Sequence, residues 1–148
     1  MAESWENFLV EDSAGAAEIL GSAKTIAVLG IKTEQHQGQP AYYVPDYLQS
    51  AGYRVIPVPV YYPDVTDILG EPVQRDLSAI SPPPDLVVVF RRPGDIDQHV
   101  DDLVVLSPGA VWFQSGIRNE AAARRLAKAG IRVVQDRCTM VEHRRLRG

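Results

Sequence analysis

The chain has 148 residues, 45% of them hydrophobic and 23% charged, with a net charge of -4 and a pI near 5.3. That is enough chain for one sizeable core in one domain, 1–148, and its acidic balance argues against a general nucleic-acid or anionic-membrane binder. No apolar run approaches the roughly 20 residues needed to span a bilayer, and the single cysteine, Cys138, excludes an internal disulfide framework and fits a reducing cytoplasm.

The start, Met1-Ala2-Glu3-Ser4-Trp5-Glu6, is acidic and does not resemble a secretory signal. Trp5, Phe8 and Leu9 have helical spacing, with Ser4 as a cap. A second short helix is expected over 15–20, capped by Asp12 or Ser13 and stopped by Gly21. Residues 1–21 thus read as an N-terminal helical extension. Thr25-Ile26-Ala27-Val28-Leu29 is nearly all apolar, as a strand covered on both faces must be. A crossover helix follows over 40–50, with its regular part expected only from Val44 because a proline is tolerated in a first turn and Pro45 sits there.

Tyr53-Arg54-Val55-Ile56-Pro57-Val58 is the second strand, and Pro59, Tyr61, Tyr62 and Pro63 make a stiff aromatic loop after it. A short edge strand is expected within 68–74, where Pro72 is permitted, then a short helix over 77–80 and an extended Ser81-Pro82-Pro83-Pro84. Leu86-Val87-Val88-Val89-Phe90 is the next buried strand and stops at Arg91-Arg92-Pro93-Gly94. Ile96, Val100, Leu103 and Val104 mark a helix face, 110–113 a strand, 119–129 an alanine-rich helix closed by Gly130, 131–134 the last strand and 140–146 a terminal helix. Strands alternating with helices imply βαβ units with right-handed crossovers. The expected fold is α/β: a Rossmann-like, doubly wound, mostly parallel sheet of five to six strands in the order 3-2-1-4-5-6, with helices on both faces.

In such a sheet a ligand sits at the carboxyl ends of the strands, by the switch point. The strand ending at Gly30 feeds a polar loop and a helix N-terminus, where backbone N–H groups and the helix dipole favour an anion. The dinucleotide fingerprint is incomplete, however: no second or third glycine follows in its place, and Lys32 sits two residues on. The end of the second strand, Val58-Pro59, lacks the Asp or Glu that would read a ribose 2′-OH. Lys32, Arg91, Arg92 and Arg137 give the strand ends an electropositive rim suited to a phosphorylated ligand. Cys138 and His143 are five positions apart and would not face each other on a helix. Glu142 and His143 have no second ligand cluster at metal spacing, and His36 and His99 read as lone solvated histidines.

Lys24-Thr25-Ile26-Ala27-Val28-Leu29-Gly30, Gly52-Tyr53-Arg54-Val55-Ile56-Pro57-Val58, Phe90-Arg91-Arg92-Pro93, Val111-Trp112-Phe113-Gln114-Ser115-Gly116-Ile117 and Asp136-Arg137-Cys138 with Val141-Glu142-His143 occur in an order that resembles a known family. The chain is similar to small single-domain coenzyme A-binding proteins related to the CoA-binding domain of the succinyl-CoA synthetase alpha subunit. The resemblance runs from about Ser22 to the C-terminus. It implies CoA in the switch-point crevice, with Gly30, Ile31 and Lys32 at the first phosphate loop, Val58 and Pro59 at the adenosine end, and Phe90 and Arg91 at the turn after the fourth strand. Tyr42, Gln114 and Gly116 complete the candidate cofactor-binding set. The chain departs from the family in its glutamine-rich segment 33–39, which carries His36. Nothing in it matches the separate domain that holds the phosphorylated histidine of succinyl-CoA synthetase.

With no nucleophile, base or metal constellation in the sequence, the leading expectation is non-catalytic binding of coenzyme A or an acyl-CoA in the cytoplasm. The protein would be a carrier or sensor, a homodimer or an associate of an acyl-CoA enzyme, with no nucleic-acid or membrane partner. The alternative is an NAD(P)-dependent oxidoreductase-type domain with a degenerate fingerprint, in which Lys32 meets a 2′-phosphate. A third reading is an interaction protein with a vestigial pocket.

Overall fold

Runs that are apolar at every position can be covered on both faces, and three such runs, within 26–29, 86–90 and 110–113, form the middle of the sheet. The computed structural model describes residues 4–147. A 3₁₀ turn, Trp5–Phe8, leads into β1 (Leu9–Val10) and α1 (Ser13–Ser22). Then come β2 (Thr25–Leu29), α2 (Pro40–Ser50), β3 (Arg54–Val58), β4 (Asp67–Ile68) and β5 (Glu71–Pro72). The chain ends with β6 (Leu86–Val89), α3 (Val100–Leu106), β7 (Ala110–Phe113), α4 (Glu120–Lys128), β8 (Arg132–Val134) and α5 (Thr139–Arg147). None of the described helices is long and apolar enough to cross a membrane.

The main sheet has six strands in the order β1-β8-β7-β6-β2-β3, and every neighbouring pair is parallel. Side chains alternate between its faces. Ala27, Leu29, Val87, Val89, Val111 and Phe113 pack with α3 and α4 on one side. Ile26, Val28, Leu86, Val88 and Trp112 pack with α1 and α2 on the other. This is the doubly wound, Rossmann-like architecture expected, and the five strands from β3 to β8 take their expected order.

Two elements differ. The expected edge strand within 68–74 does not join the sheet: β4 and β5 pair antiparallel as a separate hairpin. Its two turn residues, Leu69 and Gly70, both have positive φ (56° and 76°), the twist that a two-residue hairpin demands. At the opposite edge the sheet gains β1, with Leu9 opposite Val133 and Val10 opposite Val134. The helical spacing of Trp5, Phe8 and Leu9 therefore yields only a 3₁₀ turn before an edge strand. Trp5 lies against α4, with the Arg124 guanidinium 5.1 Å from its ring centre. Asp12 caps α1 by accepting from the Gly15 N–H at 2.8 Å. Gly21 does not stop that helix, which runs on to Ser22.

Helix α2 is regular from Pro40, not from Val44, and carries Pro45 in its interior. Pro45 has no N–H to give to the carbonyl four residues back, so the Ala41 oxygen is left to accept from elsewhere. The Lys32 N–H fills it, at 3.0 Å. The carbonyl that Pro45 leaves free thus anchors the loop that follows β2.

Candidate functional site

The carboxyl edge of the sheet is shaped by how each strand ends. After β2, Gly30 takes φ +87°, and its N–H donates to the Val58 carbonyl at 2.9 Å. A Cβ at Gly30 would strike the Phe90 carbonyl oxygen, so this glycine lets the exits of β2 and β6 approach. Ile31 is buried. Lys32 donates through Nζ to Gln39 Oε1 at the start of α2. The glutamine-rich segment folds as a single 3₁₀ turn, Glu34–His36, with the His36 ring 6.0 Å from that of Tyr62. Thr33 Oγ1 is buried there without a hydrogen-bond partner.

After β3, Val58 is buried and Pro59 follows it. The aromatic loop beyond, where Tyr62 has φ +63°, is clamped by Arg75, whose guanidinium donates to the carbonyls of Tyr61, Tyr62 and Val65 at 3.0, 2.6 and 2.9 Å. After β6, the two arginines separate. Arg92 pairs with Asp95 at 3.2 Å in solvent. Arg91 Nε donates to His99 Nε2 at 3.2 Å, which requires that nitrogen to be unprotonated. Burial, and then the Arg91 charge, hold the His99 pKa below its ordinary 6.5.

After β7, Gln114 is only 3% exposed. Its Nε2 donates to Thr139 Oγ1 at 2.8 Å and its Oε1 accepts from the Thr139 N–H at 3.3 Å, so it caps α5. The Gly116 N–H donates to Asp136 Oδ1 at 2.6 Å. After β8, Arg137 ties the N-terminal segment to α5. It donates to Glu142 Oε1 at 2.7 Å, to the Glu11 carbonyl at 2.9 Å and to Ser13 Oγ at 3.1 Å.

Two cavities open on this edge. The larger, about 700 Å³, lies between the N-termini of α2 and α5 and takes in Phe90, Arg91, Gln114 and Gly116. The other, about 470 Å³, opens over Val58 and Pro59. Arg91 lines both. Seven of the ten residues singled out in the sequence thus gather here: six line one or both cavities, and Lys32 reaches the larger through Gln39. Gly30 and Ile31 are buried and line neither cavity. Tyr42 lines a third cavity, of about 340 Å³, with Thr33 and Tyr62, whereas its neighbour Tyr43 lines the largest.

Sequence reasoning missed five contributing residues on three elements. His99 holds Arg91 across a turn that no local pattern announces. Pro40 and Val44 line the large cavity because α2 is regular through its prolines. Met140 and Val141 do so because Gln114 fixes the start of α5. Glu142 and His143 are structural: His143 Nδ1 lies 2.8 Å from the Tyr47 hydroxyl, and burial, with Arg147, lowers its pKa. Among the described residues, no group of three His, Cys, Asp or Glu is placed to hold a metal.

Residues 24–144 match a family model described as CoA binding domain. The uncharacterized protein YneT of Bacillus subtilis (strain 168) is 32% identical over 126 residues, 85% of this chain and 90% of YneT. The solved structure of cell-free ID.343 from Thermus thermophilus is 42% identical with a TM-score of 0.82, over 91% of this chain and 98% of that one. A hypothetical protein from Pyrococcus horikoshii OT3 is 29% identical with a TM-score of 0.81, over 93% of each chain.

Proposed function

The chain belongs to the CoA binding domain family, and from that premise we propose that it binds coenzyme A along the carboxyl edge of its sheet without transforming it. The observation that carries this reading is Arg91: one half-buried cation lines two cavities on opposite sides of the strand ends. CoA has an adenosine end and a pantetheine arm joined by phosphates. The adenosine lies over Val58 and Pro59, the phosphates meet Arg91 and the α2 N-terminus near Lys32, and the arm enters the larger cavity. Charge-assisted bonds from arginine to phosphate are the strong ones available at such a site.

Side chains with acid–base chemistry around the edge are engaged in holding structure, which supports a binder over an enzyme. Asp136 accepts from Gly116, Glu142 from Arg137, and His99 from Arg91. The protein then serves as a carrier or sensor in a reducing cytoplasm, delivering its ligand to an acyl-CoA enzyme or acting as a homodimer. Mass spectrometry of the small molecules released on denaturation should find CoA or a thioester of it. Calorimetric titration should show sub-millimolar binding of CoA and weaker binding of dephospho-CoA. Tight NADPH binding with no response to CoA would overturn the proposal in favour of a dinucleotide site.

A further inference from the structure

Granted the CoA reading, on which this rests, we infer that the ligand is a thioester: an acyl-CoA with a short, uncharged acyl chain lying between α2 and α5. The larger cavity is not uniform along its length. Its cations, Arg91 and Arg92, stand at the exit of β6, and Gln39, which holds Lys32, stands at the start of α2. Toward the end of β8 the lining changes to Ile117, Cys138, Met140 and Val141, with Val44 contributed from α2, and among the described residues no lysine or arginine lines that end.

The strand order fixes the direction of the ligand. With adenosine over the end of β3 and phosphates at the end of β6, the arm runs on toward β7 and α5, because β3, β2, β6, β7 and β8 follow one another across the sheet. Its sulfur therefore arrives beyond Gln114 and Ser115, where Ile117, Met140 and Val141 line the cavity beside the Cys138 thiol. Val141, at 39% exposure, and Tyr43, also at 39%, stand open at the mouth, and a free thiol would leave them in water. An acyl chain covers them, and its burial is favourable in proportion to the area removed from water.

The chemistry at α5 also selects against a second carboxylate. A helix N-terminus ordinarily welcomes an anion. Here the Thr139 N–H is already taken by Gln114, and the first turn carries Glu142, held by Arg137. An acyl group ending in a carboxylate would find no lysine or arginine lining this end of the cavity, since the nearby Arg137 is already paired with Glu142.

The test titrates protein freed of co-purified nucleotide with CoA, acetyl-CoA, butyryl-CoA and succinyl-CoA. Each buried methylene is expected to tighten binding about fourfold, so butyryl-CoA, with two more of them, should exceed acetyl-CoA by about 15-fold. Succinyl-CoA, with as many acyl carbons as butyryl-CoA, should bind no tighter than CoA. Val141→Glu, at the cavity mouth, should bring the ratio of butyryl-CoA to CoA affinity close to one. Equal affinity for CoA and butyryl-CoA, or tightest binding of succinyl-CoA, would overturn this inference and leave the CoA reading standing. Failure of CoA and all three thioesters to bind would overturn the CoA reading itself.

Discussion

Arg91 and Gly30 divide the work at the centre of the edge: one presents charge, the other makes room. Arg91→Ala is expected to weaken CoA binding by about 10- to 100-fold, the range for losing a hydrogen bond to a charged partner. Calorimetry on the variant checks this, with its melting temperature as control. Gly30→Ala is expected to cost about 2 kcal/mol of stability, since the added carbon must sit at φ +87° and meets a backbone oxygen that has no freedom to move; denaturant unfolding measures it. At this scale the sequence was readable wherever a residue's chemistry was unusual. Arg91 announced itself as a cation at a strand end. His99 did not, because its value lies in accepting from Arg91 across eight residues of irregular chain. Tyr42 and Tyr43 were indistinguishable until the helix phase was known, and that phase depends on how Pro45 is accommodated.

The elements are fastened to one another at their ends, and these joints carry the pH dependence. His143 on α5 meets Tyr47 on α2 at 2.8 Å, and its pKa is lowered by burial first and by Arg147 second. A lowered pKa in the folded state means the unfolded chain binds the proton more readily. The joint therefore stabilises the fold fully above the ordinary 6.5 and loses this contribution progressively as pH falls below it. His143→Phe should flatten the melting-temperature profile between about pH 7 and pH 5; an unchanged slope would contradict the assignment. Asp85 does the same at lower pH. It accepts the N–H groups of Lys24 and Thr25 at 2.8 and 3.1 Å, which hold its carboxyl below the ordinary 3.8, so its stabilisation is present above that value and disappears as pH falls below it. Pro45→Ala gives α2 back an N–H that competes for the Ala41 oxygen, and the Lys32 amide should exchange with solvent faster as a result. The strands were legible because β2, β6 and β7 are apolar at every position but Thr25. β1 was not, because two residues carry no period and their partner, β8, lies more than a hundred residues away.

At the scale of the whole molecule, the two cavities lie on opposite faces of one sheet and meet over Arg91. A ligand that spans them must drape across the strand ends, and CoA has the length and the charged middle to do so. The class of fold and the edge that matters followed from the alternation of apolar strands with helices. The shape of the edge did not, since it depends on long-range fastenings such as Arg137 to Glu142 and Gln114 to Thr139. The most direct test is an NMR titration of the labelled protein with CoA, following the amides of Val58 and Val60 on one side of Arg91 and of Gln114 and Gly116 on the other. Both sets should shift together along one saturation curve with a single Kd. Shifts confined to one side, or centred on the Thr33 and Tyr42 cavity, would contradict a ligand laid across Arg91.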